Sequence, residues 1–387
     1  MQTITTTDAL AAFCAEAAGE PYVTVDTEFL RERTYYSKLC LVQLAMPGTG
    51  NDRAVLVDPL AEGIDLAPLY ELMRAPVVKV FHAARQDVEI FWIDGGVIPQ
   101  PLFDTQIASM VCGFGEQVGY ETLVRKIARA NLDKTSRFTD WSQRPLSEAQ
   151  MRYALADVTH LRVIYEHLAA ELEKNARAHW LEEEMEVLTS TETYITRPEE
   201  AWQRIKTRGQ SGKFMAVVRE LARFREEMAQ SRNIPRARVL KDEALLELAS
   251  TRPEDHEALS RSRLLLREAR RGDIADGILA AVRDAQALPP EQWPVPPNGA
   301  NAHLQVNPAL ADLLRVLLKA RSEESGVAQK LIASSADLDA IAGGQRDVAA
   351  LRGWRAEVFG DDALRLCRGE LALTAKGQQV RTIELTP

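Results

Sequence analysis

Strand-forming runs crowd into the first part of this chain and then stop. Between Tyr22 and Pro59, YVTVDTEF, LCLVQLA and AVLVD are β-rich segments separated by polar turns with Pro and Gly, at a spacing that suits an antiparallel meander. From Leu66 the texture alternates: a helical LAPLYELM, a short apolar VVKVF, a helical ARQDVEIFWI, a short PLFDT, then helices from about Thr105 and Tyr120. Strands alternating with helices imply parallel crossovers into the same sheet. The expected first domain, 1–195, is therefore an α/β fold with a mixed five-stranded sheet flanked by helices. Ser147 to Lys174 reads as one long helix that closes it, with Ser147 as N-cap after Pro145 and Met151, Leu155, Val158, Leu161, Ile164 and Leu168 as an apolar stripe.

Past about Arg197 no further strand is expected, and the sequence becomes rich in Leu, Ala, Arg and Glu. Five prolines between Leu288 and Gly299 mark a stiff linker, set at 288–302, between two all-α helical-bundle domains at 202–287 and 303–380. The two are weakly alike: Leu221 to Ala249 parallels Leu317 to Ala342, each with an L-x3-R-x-E start and an apolar helix after a gap. A length of 387 residues agrees with two or three domains at roughly 150 residues each. The net charge of −9 argues against a uniformly basic coat. Locally the balance reverses, because Trp202 to Arg238 holds ten Lys and Arg against three Glu. Phosphate binding is therefore expected in the first helical domain, at Lys206, Arg208, Lys213, Arg219 and Arg223.

Composition excludes several classes. With 46% hydrophobic and 27% charged residues the chain is neither collagen-like nor wholly disordered. Cys14, Cys40, Cys112 and Cys367 are scattered and lack C-x-x-C spacing, so neither a disulfide framework nor a zinc site is expected, and a reducing cytoplasm fits. The amino terminus has no basic region ahead of its apolar stretch, and no apolar run of about 18 residues occurs, so neither export nor membrane insertion is expected. A G-K pair near Gly209 and Lys213 lacks the spacing of a phosphate-binding loop, and no G-x-S-x-G elbow is present.

The candidate chemistry begins on the first strand. In VTVDTEF, Asp26 and Glu28 are two apart and project from one face. Adjacent carboxylates repel, which is relieved by raised pKa values or by a cation, and an all-oxygen set favours Mg²⁺ or Mn²⁺. Alone, the pair also fits solvated acids at a strand end. Asp87 falls in the first turns of a helix at the carboxyl edge of the sheet, where the helix dipole alone favours an acid. His82, in the preceding turn, reads as a local hydrogen-bonding residue. Tyr153 and Asp157, four apart, share one face of the long helix.

These elements occur in an order that resembles a known family. D-T-E-F, F-H-A-A-R-Q-D, F-D-T-Q-I-A and D-W-S-Q-R-P-L-S-x3-M-R-Y-A-L-A-D are similar to the motifs of the ribonuclease D family, in the tyrosine subclass of the DEDD superfamily of 3′-to-5′ exonucleases. Arg152 stands where the histidine subclass has its histidine. W-x2-I-K and N-I-P-R-A in the first helical domain resemble the HRDC domains that follow the exonuclease domain in that family. The resemblance implies an RNase H-like fold, two divalent metal ions, Mg²⁺ or Mn²⁺, and hydrolysis of RNA from its 3′ end to nucleoside 5′-monophosphates, with tRNA precursors as substrates. It assigns the metals to Asp26, Glu28, Asp87 and Asp157 and the orientation of the attacking water to Tyr153. It also suggests that Phe29 and Leu30 wedge against the terminal nucleotide. Asp104 is expected to cap a helix and Trp141 to pack. Two other readings compete: a DNA 3′-to-5′ exonuclease, and an RNA-binding adaptor whose exonuclease-like domain is inert.

Overall fold

The computed structural model describes residues 2–133, 135–137, 139–207, 211–294 and 305–385. Arg208 and residues 295–302 of the expected linker lie outside these. The chain forms two compact units, one of Met1–Glu28, Leu39–Thr193 and Leu304–Pro387, the other of Phe29–Lys38 and Tyr194–His303.

The first unit is built on a mixed six-stranded sheet. Its strands are β1 (Gln2–Ile4), β2 (Tyr22–Leu30), β3 (Lys38–Ala45), β4 (Ala54–Val57), β5 (Val78–Phe81) and β6 (Leu102–Asp104), in the order β1-β4-β3-β2-β5-β6. The expected count of five corrects to six, because three-residue β1 is too short to show periodicity. It is held by parallel pairing of Gln2 to Ile4 with Val55 to Val57, and Ile4 is buried. β3 and β4 are antiparallel, whereas β2, β5 and β6 run parallel through crossovers. β2 lies inside the sheet, which is why both its alternating sets are buried from Tyr22 to Val25.

Helices α1 (Thr7–Ala17), α2 (Ala67–Arg74), α3 (Arg85–Gly95), α4 (Thr105–Val111), the short α5 (Tyr120–Leu123), α6 (Glu148–Lys174) and α7 (Ala178–Thr189) complete the α/β part. α6 starts where a capping box closes: the Ser147 hydroxyl accepts from the Gln150 amide, and the Gln150 side chain accepts from the Ser147 amide. Leu155, Val158, Leu161, Ile164 and Leu168, all in the expected stripe, are buried.

In the second unit, α8 (Gly212–Ser231), α9 (Arg236–Val239), α10 (Asp242–Thr251), α11 (His256–Ser260) and α12 (Gly272–Ala287) enclose a core that includes Val217, Leu221, Leu245, Leu248, Ile278 and Val282. The segment from Leu304 onward, which includes the expected domain at 303–380, groups with the first compact unit. Its helix α13 (Pro308–Ser325) and the turns after it have a small core of their own, with Leu314, Leu317, Ile332, Trp354 and Phe359. The Trp354 ring stacks on Trp180 of α7 at 4.9 Å, and its indole N–H donates to Glu184. The all-α expectation fails here, since β7 (Leu371–Lys376) and β8 (Gln379–Glu384) form an antiparallel hairpin. Gly377, at φ 63°, opens its two-residue turn. Most of the hairpin is exposed, so burial leaves little alternation in its sequence. Among the described residues no helix is long and apolar enough to cross a membrane, and all four cysteines are free thiols.

Candidate active site

The site is assembled where α6 lies against β2. The Thr24 hydroxyl donates to the carbonyl of Val158 at 2.9 Å, and the Tyr22 hydroxyl donates to Glu166 at 2.5 Å. From the other flank, the hydroxyl of half-buried Tyr120 donates to the Asp157 carbonyl at 2.6 Å and lies 3.0 Å from that of Ala156. These bonds fix the α6 backbone where Asp157 leaves it. One carboxylate oxygen each from Asp26, Glu28 and Asp157 then lies within 4.8 Å of the others. Tyr153, one turn before Asp157 on the same helix face, has its hydroxyl near enough to that carboxylate to lower its pKa.

Asp87 stands outside this three-oxygen cluster but in its field. It is buried in the first turn of α3 and accepts the hydroxyl of Thr27, which lies between Asp26 and Glu28 on β2. The turn that delivers it is held by Asp104. One carboxylate oxygen accepts from the amides of Ala83 at 3.0 Å and Gln106 at 2.7 Å, and the other accepts from Ala84 at 2.8 Å. Ala83 has φ 60°, a left-handed conformation that an alanine keeps only when its surroundings enforce it. Asp104 thus caps α4, as expected, and also fixes the β5–α3 turn. His82 bonds Thr105 at 3.0 Å, the local role expected of it.

The electrostatics are those of crowded acids. Burial, then the neighbouring Asp157, drives Asp26 well above the usual carboxylate range. Burial and then Asp26 lift Glu28 to about 10, and burial lifts Asp157 to about 7 against the opposing influence of the Tyr153 hydroxyl. Asp87 is raised by burial and then by Asp26. Four acids that resist ionising together are the pattern that a bound cation relieves, and a donor set of carboxylate oxygens alone suits a hard divalent ion such as Mg²⁺ or Mn²⁺.

The remaining expectations fall into place unevenly. Trp141 is buried, its ring 6.1 Å from that of Tyr153, so it packs under the site. Phe29 and Leu30 are half-buried at the end of β2, in the segment that groups with the second unit. Lys206 and Lys213 are exposed. Arg219 and Arg223 both bond the carboxylate of Glu220, at 3.0 and 2.7 Å. Sequence reasoning missed the supporting residues Thr24, Thr27 and Tyr120. It also missed Arg137, an exposed residue whose charge pulls the Glu28 and Asp157 values down. The available signal for Arg137 was its place four residues ahead of the W-S-Q-R-P run.

Comparison with known proteins agrees with this geometry. Residues 1–173 match a 3′-5′ exonuclease family and residues 214–282 match the HRDC domain. The chain is 64% identical to ribonuclease D of Jannaschia sp. (strain CCS1), over 99% of both chains. It is 49% identical to ribonuclease D of Granulibacter bethesdensis, over 98% of this chain and 96% of that one. Among solved structures it is similar to Escherichia coli RNase D, an exoribonuclease involved in structured RNA processing, with a TM-score of 0.80 and 30% identity over 95% of this chain and 98% of that one. Motif order, an acidic cluster on an RNase H-like sheet and full-length identity converge: the chain belongs to the ribonuclease D family of metal-dependent 3′-5′ exoribonucleases.

Proposed function

We propose that this exoribonuclease works through a two-metal site in which Asp26, Glu28, Asp87 and Asp157 are the ligands. The single observation that carries the reading is the convergence of Asp26, Glu28 and Asp157 oxygens within 4.8 Å. When bound, a pair of Mg²⁺ or Mn²⁺ ions supplies activation of the attacking water and stabilisation of the leaving 3′ oxygen. Asp26 is coupled electrostatically to both Asp157 and Asp87 and would be the central acid of the set that holds the ions. Asp87 is kept in place by Thr27 and completes the set. The Tyr153 hydroxyl, one turn from Asp157 on the same helix face, would orient the attacking water. Phe29 and Leu30 meet the terminal nucleotide by stacking and apolar contact, which needs an unpaired 3′ end and no base reading.

RNAs with single-stranded 3′ tails, tRNA precursors among them, are the assigned substrates. Lys206 and Lys213, with Arg208, Arg219 and Arg223, are assigned to their phosphates. The helical segment after Asn307 is read as a second HRDC-like module, supported by its separate small core. Four free thiols favour the reducing cytoplasm as its location.

The test is direct. Asp26→Ala or Asp157→Asn is expected to lower mononucleotide release from a 3′-tailed RNA by about 10³-fold or more, the scale on which an essential catalytic group acts. Circular dichroism should be unchanged. Release at the parent rate from either variant would overturn the assignment. Matched RNA and DNA oligomers in the same assay separate this reading from a DNA exonuclease.

A further inference from the structure

The N-I-P-R-A run at Asn233–Ala237 carries more than a helix boundary. α8 stops there because Asn233 takes up the left-handed conformation, φ 49°, and the Ile234 amide bonds back to the Ala229 carbonyl at 3.0 Å. That stop needs only the backbone. The Asn233 side-chain oxygen is used elsewhere: it accepts the consecutive backbone amides of Tyr35 and Tyr36, at 3.0 and 2.9 Å. The Tyr35 hydroxyl donates to the buried carboxylate of Glu226. Arg236 donates to the same hydroxyl at 2.8 Å and lies 4.7 Å above the Tyr35 ring, and Gln230 reaches the hydroxyl at 3.2 Å.

One loop tyrosine is thus gripped through backbone, ring and hydroxyl by Glu226, Gln230, Asn233 and Arg236. The segment that these residues hold, Phe29–Lys38, begins at the peptide bond after Glu28 and contains Phe29 and Leu30. Simple packing has no use for an acceptor that saturates two successive loop amides, or for a buried Glu226 carboxylate shared between a half-exposed Arg236 and a phenol. Such a set fixes a conformation, and the conformation fixed is that of the residues directly following two of the acids.

We propose that this clamp is a positioning device for the exonuclease reaction. The HRDC module, through Asn233 and its neighbours, holds Phe29–Lys38 so that Phe29 and Leu30 are pre-set for the terminal nucleotide. Asn233 and Tyr35 are positioning residues that act on substrate binding and leave the chemical step alone. The module therefore contributes to substrate affinity by placing this segment, separately from the phosphate contacts assigned to its basic residues. This inference rests on the assignment of the site to Asp26, Glu28, Asp87 and Asp157.

The test uses the full chain. Asn233→Gly keeps the left-handed backbone at no steric cost and removes only the acceptor, Asn233→Asp keeps the acceptor, and Tyr35→Phe removes only the hydroxyl. Hydrogen exchange of the Phe29–Lys38 amides and steady-state kinetics on a short single-stranded RNA are measured for each. Asn233→Gly and Tyr35→Phe are expected to speed exchange in that segment and to raise KM about tenfold with kcat within about twofold, the signature of lost binding that is equal in ground and transition states. Asn233→Asp should restore KM. Faster exchange with KM unchanged would make the clamp purely structural, and unchanged exchange would show that these residues do not hold the segment; either overturns the proposal. Should Asn233→Gly fail to fold, Tyr35→Phe carries the same measurements. An Asp26→Asn control that digests RNA at the parent rate would instead overturn the site assignment, and the exchange result would stand apart from it.

Discussion

The acids of the site hold protons that the unfolded chain would release, and this has a direction. Glu28 is lifted to about 10 and Asp157 to about 7, and Asp26 and Asp87 also lie above their ordinary values, in each case first through burial. A group whose folded pKa is raised contributes stability that is complete below its unfolded value, about 4, and is lost as pH rises through the folded value. Without divalent ions the folded chain should therefore lose stability between about pH 4 and about pH 10 from these groups. A cation competes for the same oxygens, so its benefit grows as the protons leave. The increase in Tm produced by millimolar Mg²⁺ or Mn²⁺ is expected to be roughly twofold or more larger at about pH 8 than at about pH 6. Equal increments at the two pH values, read by thermal unfolding, would show that the ions do not bind these carboxylates. Glu226 shows the opposite case: Arg236 and Tyr35 hold it below its usual value despite burial. Its contribution is present above its unfolded value and fades in acid.

At the scale of elements, the site depends on how turns and helix ends are tied together. Asp104 accepts from Ala83, Ala84 and Gln106, so one carboxylate fixes both the start of α4 and the turn that launches α3. Asp104→Ala would leave those amides without an acceptor beside a strained Ala83, at a cost of about 3 kcal/mol by the usual penalty for buried unsatisfied groups. Because Asp87 rides on that turn, turnover on RNA should fall well beyond what the loss of folded protein accounts for. Urea unfolding and initial rates on the same preparation decide this; a destabilised variant with native turnover would separate Asp104 from the placement of Asp87. Much of this level was legible in the sequence. β2, α3 and α6 announce themselves by period and by capping residues, and D-x-E and Y-x3-D already place their side chains on shared faces. What could not be read is which helix face meets which strand. Thr24, Thr27 and Tyr120 settle that through single hydrogen bonds from residues with no periodic signature. β1 and the β7–β8 hairpin were hidden because one is three residues long and the other is largely exposed.

At the scale of the whole molecule, charge and grouping depend on partners far away in sequence. The segment from Leu304 groups with the first compact unit, in which Trp354, Arg355 and Ser325 meet α7 and its start, the last through Arg177 at 2.7 Å. Nothing local to Trp354 signals that partner. The same holds for the basic run from Trp202 to Arg238. Its apparent excess counts arginines whose acids lie beyond the window or within α8: Arg225 bonds Asp242 at 2.5 Å, Arg232 pairs with Asp273, and Arg236 bonds Glu226 at 2.5 Å. Arg219 and Arg223 share Glu220. Paired guanidinium groups must give up a carboxylate to take a phosphate, whereas the exposed Lys206 and Lys213 give up hydration and displace counterions from the RNA. The two lysines should therefore carry more of the salt dependence of RNA binding than the more numerous arginines. Lys206→Ala with Lys213→Ala is expected to lower affinity for a 3′-tailed RNA and to flatten the slope of log K against log salt by about one for each phosphate left without its lysine. Arg219→Ala with Arg223→Ala should change the slope less. Filter binding in Ca²⁺ across a salt series measures both, and an unchanged slope in the double-lysine variant would move the RNA path away from the start of α8.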